Sequence, residues 1–524
     1  MLLHDLPLQA ALRTPAAPAL SDKRRSLDYH GLATEIERLA AGFAALGLAR
    51  NDRVAIFLDS RVETVLACFA ISRAGGIFVL VNPILKGHQV RHILDDTGAR
   101  FLLTGSNRFD AIAADILEAP FETLILIDED RIHSSSGGRI PVRFSALSEH
   151  SPASVRRASH AVEGDIATIF YTSGSTGLPK GVVISHRNLV AGALSVSSYL
   201  GNDASDRIIA LLPLGFDAGF SQVTTAFAVG AEVFVHQYLS PQDAARLCDR
   251  HGITGITAVP PVYMQLLKAE WSEKARQRIR YFANTGGHMP RPLLGQLRET
   301  FPNARPFLMY GLTEAFRSTY LDPDEVDRRP DSIGKAIPNA EILVVKPDGT
   351  LAGPGEEGEL VHRGPLVSLG YWNQPELSAR KFRPVPGQPE GLPFAERAVW
   401  SGDMVRLDEE GYLYFIGRND EMIKVGGARI SPDEVEDVLY RSGLVREAAV
   451  MGEPDPELGA RIVAAVAFEK SAGADGEGLL AFCRRELPTF MVPARIIICE
   501  DLPRSPNGKI DRKGLKTALA EGRL

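Results

Sequence analysis

The stretch Tyr171-Thr-Ser-Gly-Ser-Thr-Gly-Leu-Pro-Lys-Gly181 constrains this chain more than any other. An apolar β-type run, Ile166 to Phe170, precedes it, and a helical pattern from about Arg187 to Leu200 follows. A strand, a short loop of hydroxyls and glycines, then a helix presents backbone N–H groups to an anion. Gly174 and Gly177 permit close backbone approach and positive φ. Thr172, Ser173, Ser175 and Thr176 add hydroxyl donors, and Lys180 adds a point charge. The stretch predicts a cradle for a triphosphate, against the plainer reading of a Gly/Ser surface loop. It is not a Walker A loop, because Lys180 sits between Pro179 and Gly181 instead of before Ser or Thr.

Around this stretch the chain alternates strands and helices. Apolar residues at Leu32, Ile36, Leu39, Phe43 and Leu46 recur at helical spacing. Short apolar runs at 54–58, 77–81, 101–104, 124–127, 208–212, 233–235, 256–259, 281–284 and 307–309 read as strands. That alternation predicts mainly parallel sheets with helices on both faces. From Ile333 the strands shorten and Gly, Pro and Asp turns multiply, which predicts a small β-rich subdomain. The last hundred or so residues read as a separate α+β unit beyond the charged stretch Gly417-Arg-Asn-Asp-Glu421.

Composition removes several function classes. A net charge of −7 gives no basic footprint for nucleic acid. The four cysteines show no CxxC spacing, so buried thiols are expected and not a zinc site or a disulfide framework. No apolar run approaches the roughly 18 residues of a membrane span, and no secretory leader is visible. The expected location is cytoplasmic, with no membrane partner.

Six further stretches, in order, join the first. They are Thr285-Gly286-Gly287, Met309-Tyr310-Gly311-Leu-Thr313-Glu314, Trp400-Ser-Gly402-Asp403, Gly417-Arg418, Ile423-Lys424-Val425-Gly426-Gly427-Ala428-Arg429-Ile430, and Pro506-Asn507-Gly508-Lys509-Ile510. Together they resemble the motifs of the AMP-forming adenylating superfamily: acyl-CoA synthetases, peptide-synthetase adenylation domains and luciferases. The resemblance implies an N-terminal adenylation domain over 1–417 and a small mobile C-terminal domain over 418–524. It implies a phosphate loop at 172–177 with Lys180, and Gly286, Gly287, Tyr310 and Gly311 around adenine. Thr313 would meet the phosphates, Glu314 would help hold Mg2+, and Asp403 with Arg418 would meet the ribose. Lys509 would bridge the carboxylate and the α-phosphate during adenylation. Asp420 falls at the hinge. The loop with Lys424, Gly426, Gly427 and Arg429 faces the site in the thioester step.

The activity implied is that of an AMP-forming acid–thiol ligase using ATP, Mg2+ and coenzyme A, with a separate carrier protein's phosphopantetheine as the alternative thiol. The acid is read from Phe216-Asp217-Ala218-Gly219, where acyl-CoA synthetases usually carry a histidine. Peptide-synthetase domains place an Asp there to bind a substrate ammonium, so Asp217 either reads an amino acid or serves the fold as a helix cap or ion-pair partner. Asn284, Met309, Arg317 and Ser318, with Phe216, Asp217 and Gly286, are expected to wall the acid pocket. That wall is too polar for a fatty-acid tunnel and favours a small polar acid.

Overall fold

The computed structural model describes residues 1–128, 141–151, 161–172, 179–287, 289–389, 391, 393–418, 422–469, 475–503, 510 and 512–521. The first of its two large sheets has a parallel centre. Arg53–Phe57 lies between Ile77–Leu80 and Phe101–Thr104, and Thr123–Leu126 pairs beyond the latter. These strands are apolar on both faces and buried on both, as a helix-covered parallel sheet requires.

The other edge of this sheet corrects the reading of the phosphate stretch. Ile166–Thr172 is followed not by a helix but by a second strand, Lys180–Ser185, antiparallel to it, with Thr172 opposite Lys180. The cause is the run Val182, Val183, Ile184, which is β-branched and buried, and therefore pairs as a strand. The helix His186–Leu200 starts only afterwards, at a capping box formed by Ser185 and Asn188. The two strands thus form a hairpin, and the helix N-terminus lies at the opposite end of it from Thr172 and Lys180. Ser173, Gly174, Ser175, Thr176 and Gly177 fall outside the described residues.

The second sheet has 14 strands, with parallel neighbours from Pro18–Ser21 through Glu232–Val235, Arg207–Ala210, Gly255–Ala258 and Tyr281–Asn284 to Arg305–Tyr310. Thr319–Leu321 and Ser332–Ala336 then continue it antiparallel into the β-rich region of Leu413–Arg418, Arg397–Leu407, Glu357–Arg363 and Glu341–Val345. That region is therefore hydrogen-bonded edge to edge with the parallel part. Between the two sheets lies helix Asp217–Val229, apolar nearly all round, as a helix packed on every side must be. Its Phe220 ring sits 5.2 Å from Phe78 and 6.1 Å from Phe170, both on the first sheet. Burying one such ring contributes roughly 1.5–3 kcal/mol. The helix N-terminus, Asp217, opens at the crevice beside the carboxyl end of Arg207–Ala210, where sheets of this kind bind ligands.

The second lobe holds a three-stranded sheet, Val445–Asp455, Gly459–Phe468 and Arg495–Ile498, with helices Pro432–Arg441, Gly476–Glu486 and Arg512–Ala520. Arg512 fixes its own helix to the lobe through Glu436 at 2.8 Å. Cys68, Cys248 and Cys483 are buried free thiols and Cys499 is a half-buried one. No helix among the described residues is long and apolar enough to cross a membrane.

The lobes meet partly through helix Gly87–Thr97, whose His88 lies 3.9 Å from Glu486 and whose Gln89 bonds Glu434. Burial, reinforced by Asp437 and opposed by Gln89 and Arg441, pushes the Glu434 carboxyl up to about 8. A carboxyl raised on folding binds its proton more tightly in the folded state. Its favourable contribution is complete below the ordinary carboxylate range and is lost as pH rises toward 8. Glu434→Gln should flatten the fall in Tm between about pH 5 and 8; an unchanged slope would show that Glu434 is not the group responsible.

Candidate active site

Strand Arg305–Tyr310 ends at the crevice, and the chain turns there through Gly311 and a single 3₁₀ turn, Thr313–Ala315. A Cβ on Gly311 would lie 2.7 Å from the Phe316 carbonyl oxygen, so only glycine fits this turn. The turn drives Glu314 inward, where it is 2% exposed. Its Oε1 accepts from Tyr371 Oη at 2.6 Å and from Lys180 Nζ at 3.2 Å. Lys180 Nζ also donates to Tyr371 Oη at 2.8 Å. Tyr371 arrives on the two-residue edge strand Gly370–Tyr371, which pairs with Lys180–Ser185.

Burial alone would raise the Glu314 carboxyl. Lys180, Lys381 and Arg429, with the Tyr371 hydroxyl, more than offset it and hold the group well below the usual carboxylate range. Its other oxygen, Oε2, is buried without a hydrogen-bond partner among the described residues and lies 4.0 Å from an Arg429 guanidinium nitrogen. An ionised oxygen so placed suits a hard cation. Among the described residues no group of three or more His, Cys, Asp or Glu could hold a metal by itself. An ion here would therefore share Glu314 with oxygens of the bound ligand.

Asp403 stands on strand Arg397–Leu407 just after Gly402, whose φ is +75°. Its backbone N–H donates to Ser401 Oγ at 3.0 Å, and its Oδ2 accepts from the Tyr310 hydroxyl. Tyr310 thus orients a carboxylate through its hydroxyl. Burial, then Asp403, raises that hydroxyl's pKa well above its usual value, so it remains a donor. Lys381, at the end of helix Pro375–Lys381, donates to the Ser401 carbonyl at 2.5 Å, and burial lowers its amine below the ordinary lysine value. Three cations, Lys180, Lys381 and Arg429, face two carboxylates, Glu314 and Asp403. The surplus charge is positive, which suits phosphate. Thr172 closes the first hairpin strand here, its Oγ1 buried and without a partner among the described residues.

Arg429 comes from the second lobe, on the hairpin Ile423–Val425 and Ala428–Ile430. Gly426 N–H donates to the Leu458 carbonyl at 2.9 Å, and Lys424 Nζ lies 4.9 Å over the Phe415 ring. Gly427, φ +89°, sits against Gly286, φ +74°, so closely that a Cβ on Gly427 would lie 2.7 Å from Val259 Cγ1. Gly287 completes the turn after Tyr281–Asn284. Of the remaining expected residues, Arg418 pairs by backbone with Asp403, while Asp420 and Lys509 lie outside the described residues.

The acid pocket needs correction. A narrow cavity opens between helices His186–Leu200 and Asp217–Val229, lined among others by Met309, Arg317, Ala218, Ser221, Gln222 and Thr225. Met309 and Arg317 were expected. Asn284 donates to the Gly287 carbonyl at 2.8 Å through Nδ2, while its Oδ1 is buried without a hydrogen-bond partner among the described residues. Ser318 turns to the β-rich side and bonds His362 Nδ1 at 2.9 Å, because Phe316, at φ +61°, reverses the chain before it. Phe216 caps the helix, half-buried. Thr313 bonds Asp217 Oδ1 at 3.0 Å, and Arg317 bonds Oδ2 at 3.4 Å. Sequence reasoning missed Ser221, Gln222 and Thr225. Their signal was a polar stripe at helical spacing in an otherwise apolar helix.

Comparison with known proteins now bears on this geometry. The sequence matches the family described as "AMP-binding enzyme" over residues 8–372, and "AMP-binding enzyme C-terminal domain" over residues 434–509. The chain belongs to the AMP-binding enzyme family. Among its relatives, the 2-succinylbenzoate–CoA ligase of Geobacillus kaustophilus is 31% identical over 98% of this chain and 97% of its own. The long-chain-fatty-acid–CoA ligase of Bacillus subtilis is 28% identical over 98% and 95%. The structure superposes on o-succinylbenzoate CoA synthetase (MenE) from Bacillus subtilis bound with its product analogue OSB-NCoA. That superposition has a TM-score of 0.80 at 28% identity, covering 98% of each chain. The same synthetase with its acyl-adenylate intermediate OSB-AMP gives a TM-score of 0.65 at 29% identity, covering 98% of this chain and 97% of that one. This family member is an AMP-forming acid–thiol ligase, similar to acyl-CoA synthetases.

Since Gly427 permits the second lobe's approach, Gly427→Ala should slow thioester formation from a supplied acyl-adenylate about tenfold or more, while ATP–pyrophosphate exchange changes little. Equal losses in the two assays would show that the close contact serves both steps.

Proposed function

We propose that this enzyme activates a small polar carboxylic acid with ATP and transfers the acyl group to coenzyme A. The observation that carries this reading is the convergence of Lys180, Lys381 and the second lobe's Arg429 on the buried Glu314. A carboxylate is a poor electrophile because its leaving group would be oxide. In the first step its oxygen bonds to the α-phosphorus of ATP as the bond to pyrophosphate breaks, giving an acyl-adenylate. Such displacements need positioning and charge neutralisation more than a protein nucleophile. Lys180 and the hairpin tip 172–177 would hold the β- and γ-phosphates, while Asp403, steadied by Tyr310 and joined by Arg418, would accept from the ribose hydroxyls. Gly286, Gly287 and Gly311 would leave room for the adenine. Glu314 Oε2 is the protein oxygen that would hold Mg2+, which supplies charge neutralisation to the phosphates when bound.

In the second step the thiol sulfur attacks the acyl carbon and AMP leaves. We assign the described arrangement to this step, on two supports. Residues 424–430 face the site, and the TM-score is higher against the relative holding a CoA product analogue than against the same relative holding an acyl-adenylate. Adenylation would use the other orientation of residues 418–524 about Asp420, in which Lys509 reaches the carboxylate and the α-phosphate. One pocket then serves two reactions through a hinge. Free coenzyme A is preferred to a carrier protein because two relatives matched over nearly their full length are CoA ligases.

The test is ATP–pyrophosphate exchange without thiol, across a panel of small acids, followed by AMP and thioester analysis with coenzyme A. Lys509→Ala should lower exchange by about two orders of magnitude while sparing thioester formation from supplied acyl-adenylate. ADP as product would overturn the reading. Equal loss of both half-reactions in Lys509→Ala would overturn the division of labour.

A further inference from the structure

Building on the adenylating reading above, we infer that Arg317, held in place by Asp217, reads an oxygen acceptor on the acid, and that acids carrying an amine in its place are excluded. Asp217 is already engaged. Its Oδ1 takes the Thr313 hydroxyl at 3.0 Å, and its Oδ2 takes Arg317 at 3.4 Å. A substrate ammonium would have to share an oxygen that already accepts one of these bonds. It would also lodge beside a guanidinium that cannot shed its proton. Two cations against one buried carboxylate leave a charge uncompensated in a site where such charges are costly.

Among the described residues, the same cavity offers donors without a hydrogen-bond partner. Arg317 is 3% exposed, and its Nε has no hydrogen-bond partner. Thr225 is 2% exposed, and its Oγ1 has none either. Both residues line the cavity, on opposite sides of it in the chain's path, one following the Thr313 turn and the other on helix Asp217–Val229. Val196, Leu200 and Met309 supply apolar wall between them. An acyl group that suits this lining is a short apolar chain carrying an oxo, hydroxyl or carboxylate oxygen. Arg317 is rigid enough to select for it. The same Nη1 that meets Asp217 also donates to the Phe316 carbonyl at 3.0 Å, and the Phe316 ring is wedged so tightly on helix His186–Leu200 that a Cβ on Gly192 would lie 2.6 Å from it.

The experiment compares acids of matched length in ATP–pyrophosphate exchange: valerate, α-ketovalerate, levulinate, glutarate and norvaline. At least one oxygen-bearing acid should exceed valerate about tenfold or more in kcat/KM, with norvaline below valerate. The keto acids against glutarate distinguish a neutral oxygen from a carboxylate. Because Arg317→Met alone strands a buried carboxylate, the second arm is Asp217→Asn with Arg317→Met, which removes both charges together. In that variant the ratio of kcat/KM for the preferred oxygen-bearing acid to that for valerate should fall to about parity, whatever the absolute rate. Valerate or norvaline leading in the wild type would overturn the inference, as would a preference that survives the double change. Exchange with none of the five, by folded protein that binds ATP, would overturn the adenylating reading and the inference with it.

Discussion

Glu314 is an ionised carboxylate where water barely reaches, and much of the structure exists to keep it so. A buried charge without partners is destabilising by several kcal/mol. Those partners come from four separate places: Lys180 from the hairpin, Tyr371 from the edge strand beside it, Lys381 from a helix end and Arg429 from the second lobe. None is near another in sequence, except the pair on either side of helix Pro375–Lys381. Bringing them together requires the first sheet to accept Gly370–Tyr371 at its edge, nearly two hundred residues after the hairpin it pairs with. It also requires the β-rich region to be bonded directly onto the second sheet, so that Asp403 is carried to Tyr310. The architecture can be understood as what holds one carboxylate and its cations in register.

The motifs and the alternation were legible in the sequence because each depends on local rules. Phe101–Thr104 and Tyr281–Asn284 are apolar runs between breakers, and they are strands with the bounds that pattern implies. The hairpin was not legible. The loop's glycines and hydroxyls drew the eye to a helix N-terminus, while the short buried strand after Pro179 carried the opposite signal in only three β-branched residues. Lys381 was illegible for another reason. A lysine at a helix C-terminus ordinarily faces water, and only tertiary packing turns this one onto Ser401. Strand alternation cannot anticipate the reversal at Phe316, which sends Arg317 toward Asp217 and Ser318 toward His362.

Asp217 shows how one residue type at one position can serve two chemistries. Its place at the start of a buried helix is common to both readings and decides neither. Under the proposed reading the deciding group is Arg317, one hundred residues away, because a carboxylate paired with a guanidinium has its charge already matched. The Thr313 hydroxyl, on the turn that aims Glu314, binds the other oxygen. The proposed acid pocket and phosphate site would therefore share a wall, joined by two hydrogen bonds to Asp217.

The charge of the site also explains why a cation should arrive on a separate lobe. With Lys180 and Lys381 alone, the site would be balanced against Glu314 and Asp403. Arg429 tips it to a net positive charge, and it does so at the one Glu314 oxygen that no hydrogen bond satisfies. A nucleotide that loses pyrophosphate between two steps changes its own charge by several units, and a rigid set of cations could not match both states. Carrying one of the cations on a hairpin that abuts Gly286 through Gly427, with no side chain between them, lets the balance change with the lobe's position. The absence of a Cβ at two facing positions is thus as much a part of the electrostatics as the arginine itself.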